Sequence, residues 1–93
     1  MVQARWNGMI VADSDKTIVI EGNHYFPPDS VDWNLLERTT ETSVCPWKGT
    51  AHYFTISVVG AINPNAAWTY PDPKAEAESI RDYVAFWRGV DVG

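Results

Sequence analysis

Ninety-three residues with a net charge of −5 suffice for one domain, expected to span 1–93, with a single modest core. Lys and Arg fall singly along the chain and form no basic stripe, which argues against a nucleic-acid partner. One cysteine leaves no internal disulfide; with no charged-then-apolar leader and no apolar run of membrane-spanning length, the expected setting is cytoplasmic, without a membrane partner.

In chain order, Trp6 is expected on a short strand that ends at a tight turn or bulge at Asn7-Gly8. Met9-Ile10-Val11-Ala12 and the β-branched run Thr17-Ile18-Val19-Ile20 read as strands, joined into a hairpin by the turn residues Asp13 to Lys16. Glu21-Gly22-Asn23 breaks the second strand. Pro27-Pro28 then forces an extended path. Asp29 and Ser30 are N-cap residues, and Val31, Leu35 and Leu36 share a helical face, predicting a short helix over 31–38. The polar, β-branched stretch 39–44 is a loop or edge strand.

The chain is organised around Cys45-Pro46-Trp47-Lys48-Gly49-Thr50-Ala51-His52-Tyr53-Phe54, a loop that runs into the longest strand candidate, Thr50 to Val59. Along that strand His52, Phe54, Ile56 and Val58 alternate with Ala51, Tyr53, Thr55 and Ser57, and the first set is the better core face. Asn63-Pro64-Asn65 is a turn, and Ala66 to Tyr70 is a strand stopped by Pro71-Asp72-Pro73. Lys74 to Asp82 favours a helix with a thin apolar edge. Tyr83 to Trp87 returns to strand character, and Val90-Asp91-Val92 is a last edge strand. Short strands without long crossover helices predict a mainly β fold with two short helices, built as a curved antiparallel sheet or two packed sheets.

The residues just read resemble the domain-of-unknown-function 427 family. The resemblance rests on Trp6-Asn7-Gly8, Ile10 to Ser14, Tyr25-Phe26-Pro27, Cys45 to Tyr53, Ala67 to Pro71, Ile80 and Tyr83 to Phe86. It covers nearly the whole chain and implies a β-tent-like topology. Some β-tent folds hold structural zinc, but one Cys and two His, His24 and His52, fall short of the usual ligand set, so no metal and no cofactor is expected. A nucleotidyltransferase-like label is sometimes attached to the family. Asp13-Ser14-Asp15 has a matching carboxylate spacing, but it lies in a predicted turn without a Gly-Ser partner.

Three functions are open at this point. The leading one is a small-molecule-binding module. Its aromatic pocket is walled by Trp47, Trp68, Tyr70, Tyr25 and Tyr53, with Trp6 nearby, and Lys48 and Arg5 supply charge. Each of Trp47, Trp68 and Tyr70 lies beside a proline or turn, where functional groups gather, whereas Trp33 and Trp87 are read as core. Lys48-Gly49 is either an anion-binding loop or a solvated turn. The second function is an enzyme that uses Cys45 with His52 or Lys48 as its activator, against the plainer reading of Cys45 as a small buried residue. The third is an interaction module or homodimer anchored by exposed aromatics. His24 and Glu21 read as structural.

Overall fold

The computed structural model describes residues 1–93 in full. The fold is mainly β, as the strand spacing predicts. Nine strands pair antiparallel in three sheets, and no helical segment exceeds six residues. No helix is long and apolar enough to cross a membrane.

Two hairpins come first. Strands β1 (Val2–Trp6) and β2 (Met9–Ser14) pair through Asn7-Gly8, whose φ angles of 51° and 81° are those of a two-residue primed turn. Strands β3 (Ile18–Ile20) and β4 (Asn23–Tyr25) pair around Glu21-Gly22, with φ angles of 55° and 79°. The expected hairpin between residues 9–12 and 17–20 therefore does not form. Each of those strands has a partner only two residues away, and the two primed turns match the twist of their strands.

Strands β5 (Leu36–Cys45), β6 (Gly49–Val58), β7 (Ala61–Thr69) and β8 (Val84–Phe86) form a four-stranded sheet in that order, and β9 (Asp91–Val92) pairs with β1. The expected helix over 31–38 shrinks to one 3₁₀ turn, Trp33–Leu35, with Asp32 Oδ1 accepting from Asn34 N at 3.2 Å. Leu36 and Arg38 instead pair with Ile56 and Phe54 on β6. Asn63-Pro64-Asn65 lies inside β7 and not at a turn. Phe54 pairs with Ala67 and Ile56 with Asn63, so the intervening residues bulge out, a setting in which a strand accepts proline. The segment Ala75–Ile80 is two 3₁₀ turns broken at Ala77, shorter than the expected helix over 74–82, and it buries Ala77 and Ile80.

The four-stranded sheet is covered on both faces. One face carries a core that includes Val11, Phe26, Ile56, Ala67, Val84 and Phe86, with Phe54 and Val58 packed against it. The other carries Tyr25, Ala51, Tyr70, Ala77, Ile80 and Ala85, with Tyr53 and Trp68 packed against it. Both alternating sets of β6 thus meet a core, although only one was expected to. Fully burying Phe26 or Ile56 contributes about 1.5–3 kcal/mol each. Reciprocal backbone hydrogen bonds between Phe26 and Val84, at 2.8 and 2.9 Å, join the β3–β4 hairpin to β8.

Candidate functional site

Three large rings line up across one face of the sheet because three strands place them there. Tyr53 on β6 is the cross-strand partner of Trp68 on β7, and Trp68 is the partner of Ala85 on β8. Trp87 follows Ala85 by two residues and so continues along the same face. The ring centroids are 6.5 Å apart for Tyr53–Trp68, 6.3 Å for Tyr53–Trp87 and 5.7 Å for Trp68–Trp87.

The polar end of each ring is held. Tyr53 Oη pairs with Ser43 Oγ at 2.8 Å, Trp68 Nε1 donates to Tyr25 Oη at 3.2 Å, and Trp87 Nε1 donates to the Asn65 carbonyl at 2.7 Å. These walls are therefore set before any ligand arrives. With Lys48, Tyr70 and Asn23 they enclose a recess of about 270 Å³. A wider depression of about 700 Å³ lies at the β6–β7 hairpin tip, but no charged or aromatic side chain lines it.

Lys48 is the unusual group. It is 6% exposed, and its ammonium meets the Glu21 carboxylate while lying 5.3 Å from the Trp47 ring and 5.6 Å from the Tyr70 ring. Burial by itself pulls the Lys48 pKa down. The Glu21 hydrogen bond, the phenols of Tyr25 and Tyr70 and the Glu21 charge outweigh it, so Lys48 titrates above its ordinary value and stays charged. Glu21 is held below the usual carboxylate range by its hydrogen bond to Lys48 and then by the Lys48 charge, against a smaller opposing effect of desolvation. Burial pushes the Tyr70 phenol up to about 12, although the Lys48 charge opposes the rise. At neutral pH the recess therefore presents an ammonium, a phenol O–H and the faces of fixed aromatic rings.

The loop that carries Lys48 is pinned from the other side. Gly49 has φ 115°, and a Cβ there would sit 3.3 Å from the Asp72 carbonyl oxygen. The Lys48 carbonyl accepts from Lys74 N at 2.9 Å, and the Pro46 carbonyl accepts from Lys74 Nζ at 2.6 Å. Lys48-Gly49 is thus a buried, packed corner and not a solvated turn.

A family profile described as domain of unknown function (DUF427) matches residues 1–92. The chain belongs to the DUF427 family. No curated protein matches it.

In this DUF427 chain the residues singled out from the sequence are not all in one place. Lys48, Tyr53, Trp68 and Tyr70 meet at the recess. Tyr25 is fully buried behind Trp68, and Trp47 lies over the Lys48 ammonium without lining the recess. Arg5 and Trp6 line a separate depression of about 310 Å³, where Arg5 pairs with Asp91 at 3.3 Å. Cys45 is half-buried against the core that holds Tyr25, Ala51 and Tyr70. His52 alternates with Ala51 and Tyr53 along β6, so it lies on the opposite face, bonded to Arg38 at 2.7 Å. The structure does not bring Cys45 and His52 together.

No three or more His, Cys, Asp or Glu side chains converge on one point. Asp13 accepts from Gln3 Nε2 at 3.2 Å, and Asp15 pairs with the N-terminal amine at 3.3 Å.

Two wall residues escape the sequence reading. Trp87 is 42% exposed, where the core was expected, and Asn23 reads only as a strand breaker. The signal for Trp87 was the Arg88-Gly89 turn after it: both residues have positive φ, and the Arg88 guanidinium lies 4.6 Å from the Trp87 ring.

Proposed function

We propose that this DUF427 chain is a small-molecule-binding module whose ligand is a flat anion seated against the Tyr53, Trp68 and Trp87 rings. The observation that carries this reading is the buried Lys48 ammonium at a recess walled by pre-positioned aromatics. Charge decides the ligand class. An aromatic cage by itself suits a cation, but Lys48 and Arg88 place two cations beside these rings against the one Glu21 carboxylate paired with Lys48, a balance that favours an anion. A volume of about 270 Å³ is near the low end for ligand pockets and suits a molecule of one or two rings.

Thermal shift and tryptophan fluorescence across nucleoside monophosphates, neutral sugars and quaternary amines test the proposal. Flat anions are expected to raise the Tm and quench fluorescence, and quaternary amines to do neither. Trp87→Ala, an exposed-ring change, is expected to abolish the response and leave the fold intact. Stabilisation by none of the panel, or a response unchanged in Trp87→Ala, overturns the reading.

A further inference from the structure

The opposite face of the four-stranded sheet carries a second cleft, which shares no lining residue with the Lys48 recess. It encloses about 380 Å³ between Arg38, Phe54 and Thr69, with Trp33, Pro71 and Asp82 at its margins. Arg38 pairs with Phe54 across β5–β6, and Thr69 pairs with His52 across β6–β7, so neighbouring strands deliver these side chains to one face.

One polar group in this cleft is buried without a partner, and a second, exposed one makes no ion pair. Thr69 is 7% exposed, and its Oγ1 has no hydrogen-bond partner although it is shut off from solvent. Buried hydroxyls are rarely left so, because the lost hydration is not repaid. Arg38 is the second. The side-chain ion pairs of the chain join Arg5 to Asp91, Lys48 to Glu21, and Arg81 to Asp72 and Glu78, and none reaches Arg38. Its one side-chain hydrogen bond is with His52 Nδ1 at 2.7 Å. A guanidinium only donates, so Nδ1 is the acceptor and most of the Arg38 fork remains free. Strand β6 lies between Arg38 and Thr69, and His52, which Arg38 bonds, is the cross-strand neighbour of Thr69, so the Arg38 side chain leans across β6 toward it.

The remaining wall is flat and apolar. Trp33 is 42% exposed, and its indole is fixed by donation from Nε1 to the Pro28 carbonyl at 2.8 Å and by an edge contact with Phe54 at 5.4 Å. Asp82 sets the charge limit. It is held at φ 63°, with its backbone N–H on the Tyr70 carbonyl at 3.2 Å, and it lines the cleft. A cleft lined by one guanidinium and one carboxylate favours a singly charged anion over a multiply charged one such as phosphate.

We propose that this cleft binds a small aromatic monocarboxylate, its carboxylate on the Arg38 fork and the Thr69 hydroxyl and its ring against Trp33 and Phe54. A carboxylate is the anion that a planar guanidinium takes in bidentate fashion, and it supplies the acceptor that the Thr69 hydroxyl lacks.

Titration of the ¹⁵N-labelled full chain with benzoate, benzamide and inorganic phosphate, followed by amide and indole NMR shifts, tests this. Benzoate is expected to shift the Trp33 indole and the Arg38 and Thr69 amides saturably, while benzamide and phosphate leave them in place. Arg38→Gln changes an exposed side chain and is expected to weaken benzoate binding roughly tenfold or more, as loss of a charge-assisted bond does. Thr69→Val keeps the shape, removes an unpartnered hydroxyl, and is expected to weaken binding without lowering the Tm. The proposal is overturned if the shifts do not saturate, if benzamide matches benzoate, or if they fall on the Trp68 and Trp87 indoles. Benzoate affinity unchanged in Arg38→Gln overturns it equally.

Discussion

Glu21, at the tip of one hairpin, holds the ammonium of Lys48, in the turn of another, across 27 positions of sequence. The pair is asymmetric: Lys48 is buried and Glu21 is about half exposed. Removing Glu21 leaves a buried ammonium without its counter-charge, whereas removing Lys48 leaves a carboxylate that water can serve. Glu21→Gln is therefore expected to lower the Tm at neutral pH more than Glu37→Gln, a change at an exposed strand position. Paired thermal melts decide it, and equal Tm values for the two variants would refute the role given to Glu21.

The same pair sets a pH window. Glu21 is depressed in the folded state, so its contribution is present above the unfolded carboxylate value of about 4.3 and is lost as pH falls through its lower folded value. Lys48 is raised, so its contribution is present below the unfolded value of about 10.4 and is lost as pH rises through its folded value. The Tm difference between the native chain and Glu21→Gln is expected to be greatest between these limits and to shrink at both ends. A difference that is flat with pH contradicts the assignment.

Gly49 tests the packing of the Lys48 corner. At φ 115° an L side chain is strained, and its Cβ would press on the backbone of residues 72–74. Gly60, at φ 82°, has open space around it. Gly49→Ala is expected to destabilise by about 2–3 kcal/mol, and Gly60→Ala by about 1–2 kcal/mol, since only the first adds a clash to the conformational cost. Urea midpoints at a common m value measure the difference, and equal midpoints would show that the 72–74 segment gives way.

Much of this fold was legible because local chemistry and tertiary contacts agreed. Asn7-Gly8 forms a tight turn because both residues accept positive φ, and the alternation of Thr50 to Val58 matches β6. The misreadings arose where the same residues serve two structures. Val31, Leu35 and Leu36 fit a helical face, yet Leu36 is stabilised by pairing with Ile56 once β6 is in place, and single-chain periodicity does not register that partner. Glu21 at positive φ lacks the Asn or Asp that marks a primed turn, so the β3–β4 hairpin carried no clear signal. Pro64 and Asn65 do hold turn chemistry, spent on a bulge inside β7. At the recess, Lys48, Trp68 and Tyr70 could be read from their place beside turns. Trp87 is missed because it ends the apolar run Tyr83 to Trp87, which reads as buried strand, and only the Arg88-Gly89 turn after it points to the surface.

Tyr25 and Trp68 link the core to the recess. The Tyr25 ring is fully buried and meets Trp68 edge-on at 6.2 Å, with its hydroxyl accepting from Trp68 Nε1. Tyr25→Phe keeps the ring contact and removes the acceptor. The expected cost is about 1 kcal/mol, as Trp68 is only half-buried and water can replace part of the bond. Denaturant unfolding gives the cost. Near-ultraviolet dichroism is expected to show a less ordered Trp68, and an unchanged tryptophan signal would place the constraint on that indole elsewhere.

Tyr70 offers an alkaline test of the recess. Burial pushes its phenol up to about 12 against the opposing Lys48 charge, while an unfolded tyrosine titrates near 10. The folded state therefore keeps a proton that the unfolded chain gives up. Stability is expected to fall as pH rises from about 10 to about 12, and Tyr70→Phe to remove that part of the alkaline loss. Phenolate absorbance followed with pH reports the site directly. The native chain is expected to show a late phase that is absent from Tyr70→Phe. If Tyr70 ionises together with the other tyrosines while the chain stays folded, its hydroxyl faces water and the recess is more open than described.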